Sequence, residues 1–221
     1  MKAQRLLKLF GIAFVCTAAL CLLAYVLWNL PLLNPLKMKI LGKATIEDRI
    51  AEYGDRARAR LRPHFQLAGV DYPPANVRLL FLKSDKTLHV YAGEKPRLIK
   101  IYKVLRASGK PGPKLEEGDG QVPEGIYRVE SLNPNSAFHL SLRLNYPNED
   151  DKRFARLDGR TELGSDIMIH GSAVSEGCLA IGDEAIEEVF VLAADSNFKQ
   201  WKVISAPIDF RLAKSHWTEK H

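Results

Sequence analysis

The chain has 221 residues, 46% of them hydrophobic and 26% charged, with 32 Lys plus Arg against 26 Asp plus Glu for a net charge of +6. That composition belongs to a globular protein of one domain with a small attachment, and it excludes collagen-like, disulfide-scaffold and low-complexity classes. Lys2, Arg5, Lys8, Lys37 and Lys39 are the only charged residues among the first 39, so the remainder carries 27 positive charges against 26 negative and offers no basic face for nucleic acid.

A short basic tail, residues 1–8, precedes 22 residues without a charge, 9–30. At about 1.5 Å per residue this run spans a hydrocarbon core of about 30 Å, and it exceeds the apolar region of a cleaved signal peptide, about 7 to 15 residues. It is therefore read as an uncleaved transmembrane helix in contact with membrane lipid. Tyr25 and Trp28 fall at headgroup level, and Pro31 and Pro35 follow as stops. The short basic tail predicts an N-in orientation and an extracytoplasmic bulk. Cys16 and Cys21 lie inside this span, so Cys178 is the lone thiol of the rest and no disulfide is expected there.

Residues 31–76 read as a juxtamembrane linker with an amphipathic helix. Thr45 and Asp48 cap it, and Ile46, Ile50, Ala57 and Leu61 recur at helical spacing until Pro63. Its other face carries Arg49, Arg56, Arg58, Arg60 and Arg62, read as a solvated face, with anionic lipid as the sharper alternative.

Residues 77–206 form the main domain. Val77–Lys83, Thr87–Tyr91 and Leu98–Leu105 read as hairpin strands, and a Gly- and Pro-rich stretch follows from Ser108 to Gly125. Ile126–Glu130, Phe138–Leu144 and Asp166–His170 predict further strands, Asp183–Ala194 a helix burying Ile186, Val189, Phe190 and Ala193, and Trp201–Ile204 a closing strand. The order predicts a mainly β domain with flanking helices, of α+β class, on a curved mixed sheet. A polar tail, 207–221, ends the chain.

The chemistry concentrates in Ile167-Met168-Ile169-His170-Gly171-Ser172-Ala173-Val174-Ser175-Glu176-Gly177-Cys178. An apolar strand ends in His-Gly, and a short loop returns to Gly-Cys, so an imidazole and a thiol can meet at one strand end, as nucleophilic catalysis needs. Taken singly, either residue is more often packing. A zinc site lacks a second nearby Cys, since His64, His89 and His139 are scattered, and Ser172 and Ser175 lack the elbow of a serine nucleophile. No metal and no cofactor are expected.

These residues resemble the YkuD-type L,D-transpeptidase catalytic domain, with His170-Gly171 at a strand end and Ser175-Glu176-Gly177-Cys178 after it. The resemblance extends through Gly112-Pro113-Lys114, Gly118-Asp119-Gly120, Pro123-Glu124-Gly125-Ile126-Tyr127, Asn133-Pro134-Asn135-Ser136 and Phe138-His139-Leu140-Ser141, and so covers most of the domain. These blocks look like the short-loop subgroup that includes a murein hydrolase releasing lipoprotein from peptidoglycan. The common pattern has His where Glu176 stands and an Arg where Leu179-Ala180 has none.

The resemblance implies a bacterial inner-membrane enzyme whose periplasmic domain acts on peptidoglycan stem peptides at diaminopimelate through a Cys178 thioester. It makes Cys178 the nucleophile and His170 its base. Gly171 would orient the imidazole through its carbonyl, and the oxyanion would sit on amides near Gly177 and Cys178, with Ser175 beside them. His139 and Glu176 are possible substrate contacts, His139 more readily a structural histidine. An imidazolium neighbour would lower the thiol pKa below about 8.5. The acceptor is an amine, giving transpeptidation, or water, giving an amidase that releases a peptidoglycan-linked lipoprotein. A non-catalytic peptidoglycan-binding module is the remaining alternative.

Overall fold

In a computed structural model of the chain, which describes residues 17, 19–23, 25–26, 42–109, 112–175 and 177–211, helix α1 (Ile46–Ala68) opens on a reciprocal cap. The Thr45 hydroxyl accepts the Asp48 N–H at 3.1 Å and the Asp48 carboxylate accepts the Thr45 N–H at 2.8 Å. The helix runs past Pro63, its expected end, to Gly69, whose left-handed backbone closes it. Leu61 and Phe65, on either side of that proline, are 0% and 1% exposed. Burying two such side chains contributes about 1.5–3 kcal/mol each, which offsets the roughly 3 kcal/mol an internal proline costs.

The arginine face of α1 is only in part the solvated face expected of it. Arg58 forks onto Asp195 with two bonds of 2.7 Å, and Arg60 meets Glu188 at 2.7 Å and Glu187 at 3.1 Å. All three acids belong to helix α3 (Asp183–Asp195), so these guanidiniums dock one helix on another; Arg56 and Arg62 stay exposed. The acids that consume the charge lie more than a hundred residues away, beyond the reach of a helical pattern.

Among the described residues the sheet has nine strands: β1 (Val77–Leu82), β2 (Thr87–Ala92), β3 (Arg97–Lys103), β4 (Arg106–Ala107), β5 (Gly125–Ser136), β6 (His139–Leu144), β7 (Met168–His170), β8 (Leu179–Ala180) and β9 (Lys202–Ala206). Their order is β3-β2-β1-β9-β5-β6-β7-β8-β4, with β1–β9 and β7–β8 parallel and the other pairs antiparallel. The sheet is thus mixed with flanking helices. Strand β5 joins its two halves, pairing with β9 over Gly125–Arg128 and with β6 from Val129 onward. Two register shifts bend it, and it runs on through Asn133-Pro134-Asn135 to Ser136, past the end expected at Glu130.

Helix α2 (Glu149–Leu157) was not expected: it buries only Ala155, so no apolar stripe announces it, although Asn148 and Asp151 form a second reciprocal cap. Helix α3 buries Glu188, Val191 and Leu192 besides the four predicted residues, because α1 covers its outer side. The core packs Leu61 and Phe65 of α1 with Leu79, Phe81, Val90, Tyr127, Leu142, Phe190 and Trp201.

Thr45–His221 forms one structural unit and Met1–Ala44 another. In the latter, residues 17, 19–23 and 25–26 are helical, with Leu20, Leu22, Leu23, Tyr25 and Val26 exposed. Among the described residues no helix is long and apolar enough to cross a membrane. The span expected over 9–30 lies mostly outside them, as do the basic tail 1–8, residues 31–41 and residues 212–221.

Candidate active site

Strands β7 and β8 are parallel neighbours with His170 opposite Ala180, so the chain leaves β7 after His170 and crosses back to enter β8 from its other end, which brings Cys178 in beside Met168, two positions along from His170, and not to the one strand end expected from the sequence. Two parallel strands joined by so short a loop need tight backbone geometry. Gly177 has φ of 81°, and Gly171 is packed so closely that a Cβ there would lie 2.6 Å from Asp183 Oδ1 and 2.7 Å from the Phe138 carbonyl. The Ser172 N–H donates to Asp183 Oδ1 at 2.6 Å and ties the loop to the first turn of α3.

His170 is buried, 1% exposed. Its Nδ1 lies 2.6 Å from the Gly171 carbonyl, which can only accept, so Nδ1 carries the proton and Nε2 presents its lone pair. Nε2 is buried and has no hydrogen-bond partner. The Phe138 ring stacks on the imidazole at 4.7 Å between centroids. Burial pushes the imidazole below its ordinary pKa, against the opposing pull of the Gly171 carbonyl.

Cys178 is partly exposed, and its Sγ accepts the Met168 N–H and donates to the Asp166 carbonyl, each at 3.4 Å. The thiol is not hydrogen-bonded to His170. Burial raises its pKa, with the Asp166 charge adding to the rise and the Met168 N–H and Lys114 opposing it. This is opposite to the lowered thiol that the resemblance implied: the burial that lowers His170 disfavours the imidazolium that would favour thiolate.

The two amides expected to hold an oxyanion are taken. The Gly177 N–H donates to Ser108 Oγ at 2.6 Å, and the Cys178 N–H donates to Ser175 Oγ at 3.0 Å. Ser175 is therefore a cap on the cysteine turn, returning its own proton to the Cys178 carbonyl at 2.6 Å. Glu176 lies outside the described residues. His139 is engaged within the protein: its Nε2 lies 3.1 Å from Glu187 Oε1 and its ring meets Tyr53 edge-on at 5.0 Å.

Several contributors escaped the sequence. Ser108 fixes Gly177 and donates to the Gly120 carbonyl at 2.7 Å, binding the turn-rich stretch to the cysteine loop. Lys114, whose side chain is 6% exposed, pairs with Asp119 at 2.6 Å. Burial acts to raise that carboxyl, yet Lys114 and three backbone N–H donors hold it at about 2. Their only signal was membership in the Gly-Pro-Lys and Gly-Asp-Gly blocks. Beside Asp166, Arg143 pairs with Asp166 at 2.8 Å and Glu130 at 3.0 Å and lines a polar groove of about 490 Å³ with Arg128, Asn148 and Lys152. Among the described residues no three His, Cys, Asp or Glu side chains converge as a metal ion needs.

Comparison with known proteins agrees with this geometry. Over 118 residues, 52% of this chain and 46% of the relative, the chain is 36% identical to the candidate L,D-transpeptidase YafK of Escherichia coli (strain K12). The solved structure of the helical cell shape determining protein Pgp2 from Campylobacter jejuni is similar with a TM-score of 0.51 and 29% identity, over 62% of this chain and 49% of that one. The chain thus spans about half the length of the relatives it matches. The sequence pattern of the YkuD family, the L,D-transpeptidase catalytic domain, matches residues 76–203, more than half of the chain and the whole of the sheet from β1 to the middle of β9. With that match, and with His170-Gly171 and Gly177-Cys178 on the paired strands β7 and β8 and the loop between them, the chain belongs to the YkuD family of L,D-transpeptidase catalytic domains.

Proposed function

We propose that this protein is a cysteine acyltransferase of the cell wall, acting on peptidoglycan stem peptides at diaminopimelate. The observation that carries the reading is the bare, buried Nε2 of an imidazole whose other nitrogen is spent on Gly171, on the strand paired with the one that Cys178 enters. Such an imidazole is set up to take a proton.

In this reading the Cys178 S–H turns from the Asp166 carbonyl toward His170, a tightening that resting catalytic sites commonly leave to the substrate complex. Nε2 takes the thiol proton as Sγ bonds to the substrate carbonyl carbon. The C–N bond then breaks, the imidazolium returns the proton to the leaving amine, and a thioester remains. An acceptor amine attacks that thioester, loses its proton to Nε2, and the sulfur departs and regains it. Amine acceptors give cross-links or attach a protein.

A second reading puts water in the amine's place, making a hydrolase that releases lipoprotein from peptidoglycan. It is favoured by Leu179 and Ala180, 1% and 0% exposed in β8, which leave no guanidinium where the common family pattern has one. The N-terminal run 9–30 supports a single-pass inner-membrane protein, N-in, with the catalytic domain in the periplasm. The exposed Leu20, Leu22, Leu23, Tyr25 and Val26 fit contact with lipid there. A cell-shape role follows the relationship to Pgp2, whose structure bears that description.

The test is to incubate the protein with sacculi carrying bound lipoprotein, and in parallel with tetrapeptide muropeptides and an amine acceptor. New cross-linked or amine-exchanged muropeptides, lost in Cys178→Ala and His170→Ala, are the expected result. Lipoprotein release without them assigns water as the acceptor. Binding to sacculi with no Cys178-dependent product overturns the enzyme reading in favour of a peptidoglycan-binding module.

A further inference from the structure

The catalytic loop is touched from one side by the tip of the β5–β6 hairpin, and that tip is held by a helix outside the family domain. Phe138 and His139 sit at the tip, with His139 at φ of 74°, a left-handed backbone that a non-glycine residue adopts at a cost. The tip meets the His170-Gly171 pair twice. The Phe138 ring stacks on His170, and the Phe138 carbonyl and His139 Cβ fill the space where Gly171 lacks a side chain, at 2.7 Å and 3.0 Å from where a Cβ would stand. Gly171 is the residue whose carbonyl fixes the Nδ1–H tautomer. Ring plane and tautomer of the imidazole therefore both rest against one hairpin tip.

The tip is anchored in turn. His139 Nε2 lies 3.1 Å from Glu187 Oε1 on α3, and the other oxygen of Glu187 accepts from Arg60 of α1 at 3.1 Å. Tyr53 of α1 packs edge-on against the His139 ring at 5.0 Å. One turn nearer the start of the same helix, Arg49 Nε donates to the Pro134 carbonyl at 2.9 Å, gripping the β5 arm of the hairpin. Helix α1 thus reaches the hairpin at Arg49 and Tyr53 directly and at Arg60 through Glu187. It spans Ile46–Ala68, whereas the family domain covers 76–203.

We propose that α1 is a brace for the catalytic base: Arg49, Tyr53 and the Glu187-held His139 are positioning residues that press the Phe138–His139 tip onto His170 and Gly171. The strained backbone at His139 is then retained because it aims the Phe138 ring at the imidazole while the side chain reaches α3. This inference rests on the reading of His170 as the base of Cys178. A displacement of a reacting group by about 1 Å can cost on the order of a hundredfold in rate, so a loosened tip is expected to act on turnover and not on binding.

The decisive variant is His139→Asn, which tolerates the left-handed backbone but is too short to reach Glu187. The expected result is a loss of about tenfold in kcat with KM nearly unchanged, and loss of the single Nδ1–H tautomer signature of His170 in a ¹⁵N ring spectrum. His139→Gln, long enough to donate to Glu187, is expected to recover most of the turnover in every preparation that folds. Tyr53→Leu and Arg49→Met loosen the brace from the α1 side and decide the matter if His139→Asn does not fold. Wild-type kcat and an unchanged His170 signature in a folded His139→Asn, or in both α1 variants, overturn the brace. An active Cys178→Ala overturns the acyltransfer reading instead, which keeps the two failures apart.

Discussion

At the scale of single residues the resting site is a neutral pair. Burial lowers the His170 imidazole and raises the Cys178 thiol, so around pH 7 the first is unprotonated and the second undissociated. The base works only while Nε2 is bare, and its lowered pKa means protonation comes at more acid pH than usual. Turnover is therefore expected to hold level through pH 7 and to fall only below about 6.5, the ordinary imidazole value. Iodoacetamide is expected to alkylate Cys178 of the resting enzyme more slowly than free cysteine at pH 7, with the rate climbing above about pH 8.5. A pH–rate profile with an acid limb at or above the ordinary value, or a thiol more reactive than free cysteine at mildly acid pH, contradicts the neutral pair and restores the imidazolium beside a lowered thiol that the family resemblance implied. The sequence displays His170 and Cys178 plainly because a strand ending in His-Gly and a loop returning to Gly-Cys are local patterns. It does not display Ser108 or Lys114, which act through contacts made only when the turn-rich stretch folds back over the cysteine loop.

At the scale of elements the docking of α1 on α3 turns on Glu188, a carboxylate 1% exposed. It accepts from Arg60 at 2.7 Å and from Lys100 and Tyr102 at 2.6 Å each, joining α1, α3 and β3. Glu188→Ala strands two cations against a buried surface and is expected to cost about 3–5 kcal/mol in a urea denaturation. Glu188→Gln keeps an acceptor for the same donors and is expected to cost less. Equal losses for the two substitutions would mean that the charge itself carries the joint. This node also explains the limits of the sequence reading. An acid at position 188 breaks the apolar pattern of α3, and the arginines of α1 look solvated until their partners are brought beside them. Helix α2 was missed for the opposite reason: it packs so little that only its capping pair, Asn148 and Asp151, distinguishes it from a charged loop.

At the scale of the whole molecule, α1 belongs to the same folded unit as the catalytic sheet. A chain beginning at Lys43 retains every described contact of that unit and is expected to unfold cooperatively and to keep its activity. A chain beginning at Val70 loses Leu61 and Phe65 from the core, about 1.5–3 kcal/mol for each, together with the Arg58 and Arg60 joints. It is expected to melt at markedly lower temperature by circular dichroism, although it contains all of residues 76–203. Equal melting temperatures would show that the family domain stands without its helix. The mixed sheet with flanking helices was legible as a class from short strands and one late helix, but the position of its strands was not, because pairing across the chain leaves no periodic mark.

The last described strand lies inside the sheet: β9 is parallel to β1 on one side and antiparallel to β5 on the other. The group β3-β2-β1 and the group β5-β6-β7-β8-β4 share no strand pairing until residues 202–206 arrive between them. A ribosome still synthesising this chain therefore holds two unjoined β layers, each with an open edge, and the sheet closes only after β9 has emerged. The order of synthesis thus keeps the barrier to closure at the end, and a nascent chain stalled before Lys202 presents to chaperones and proteases the very edges that the finished protein hides.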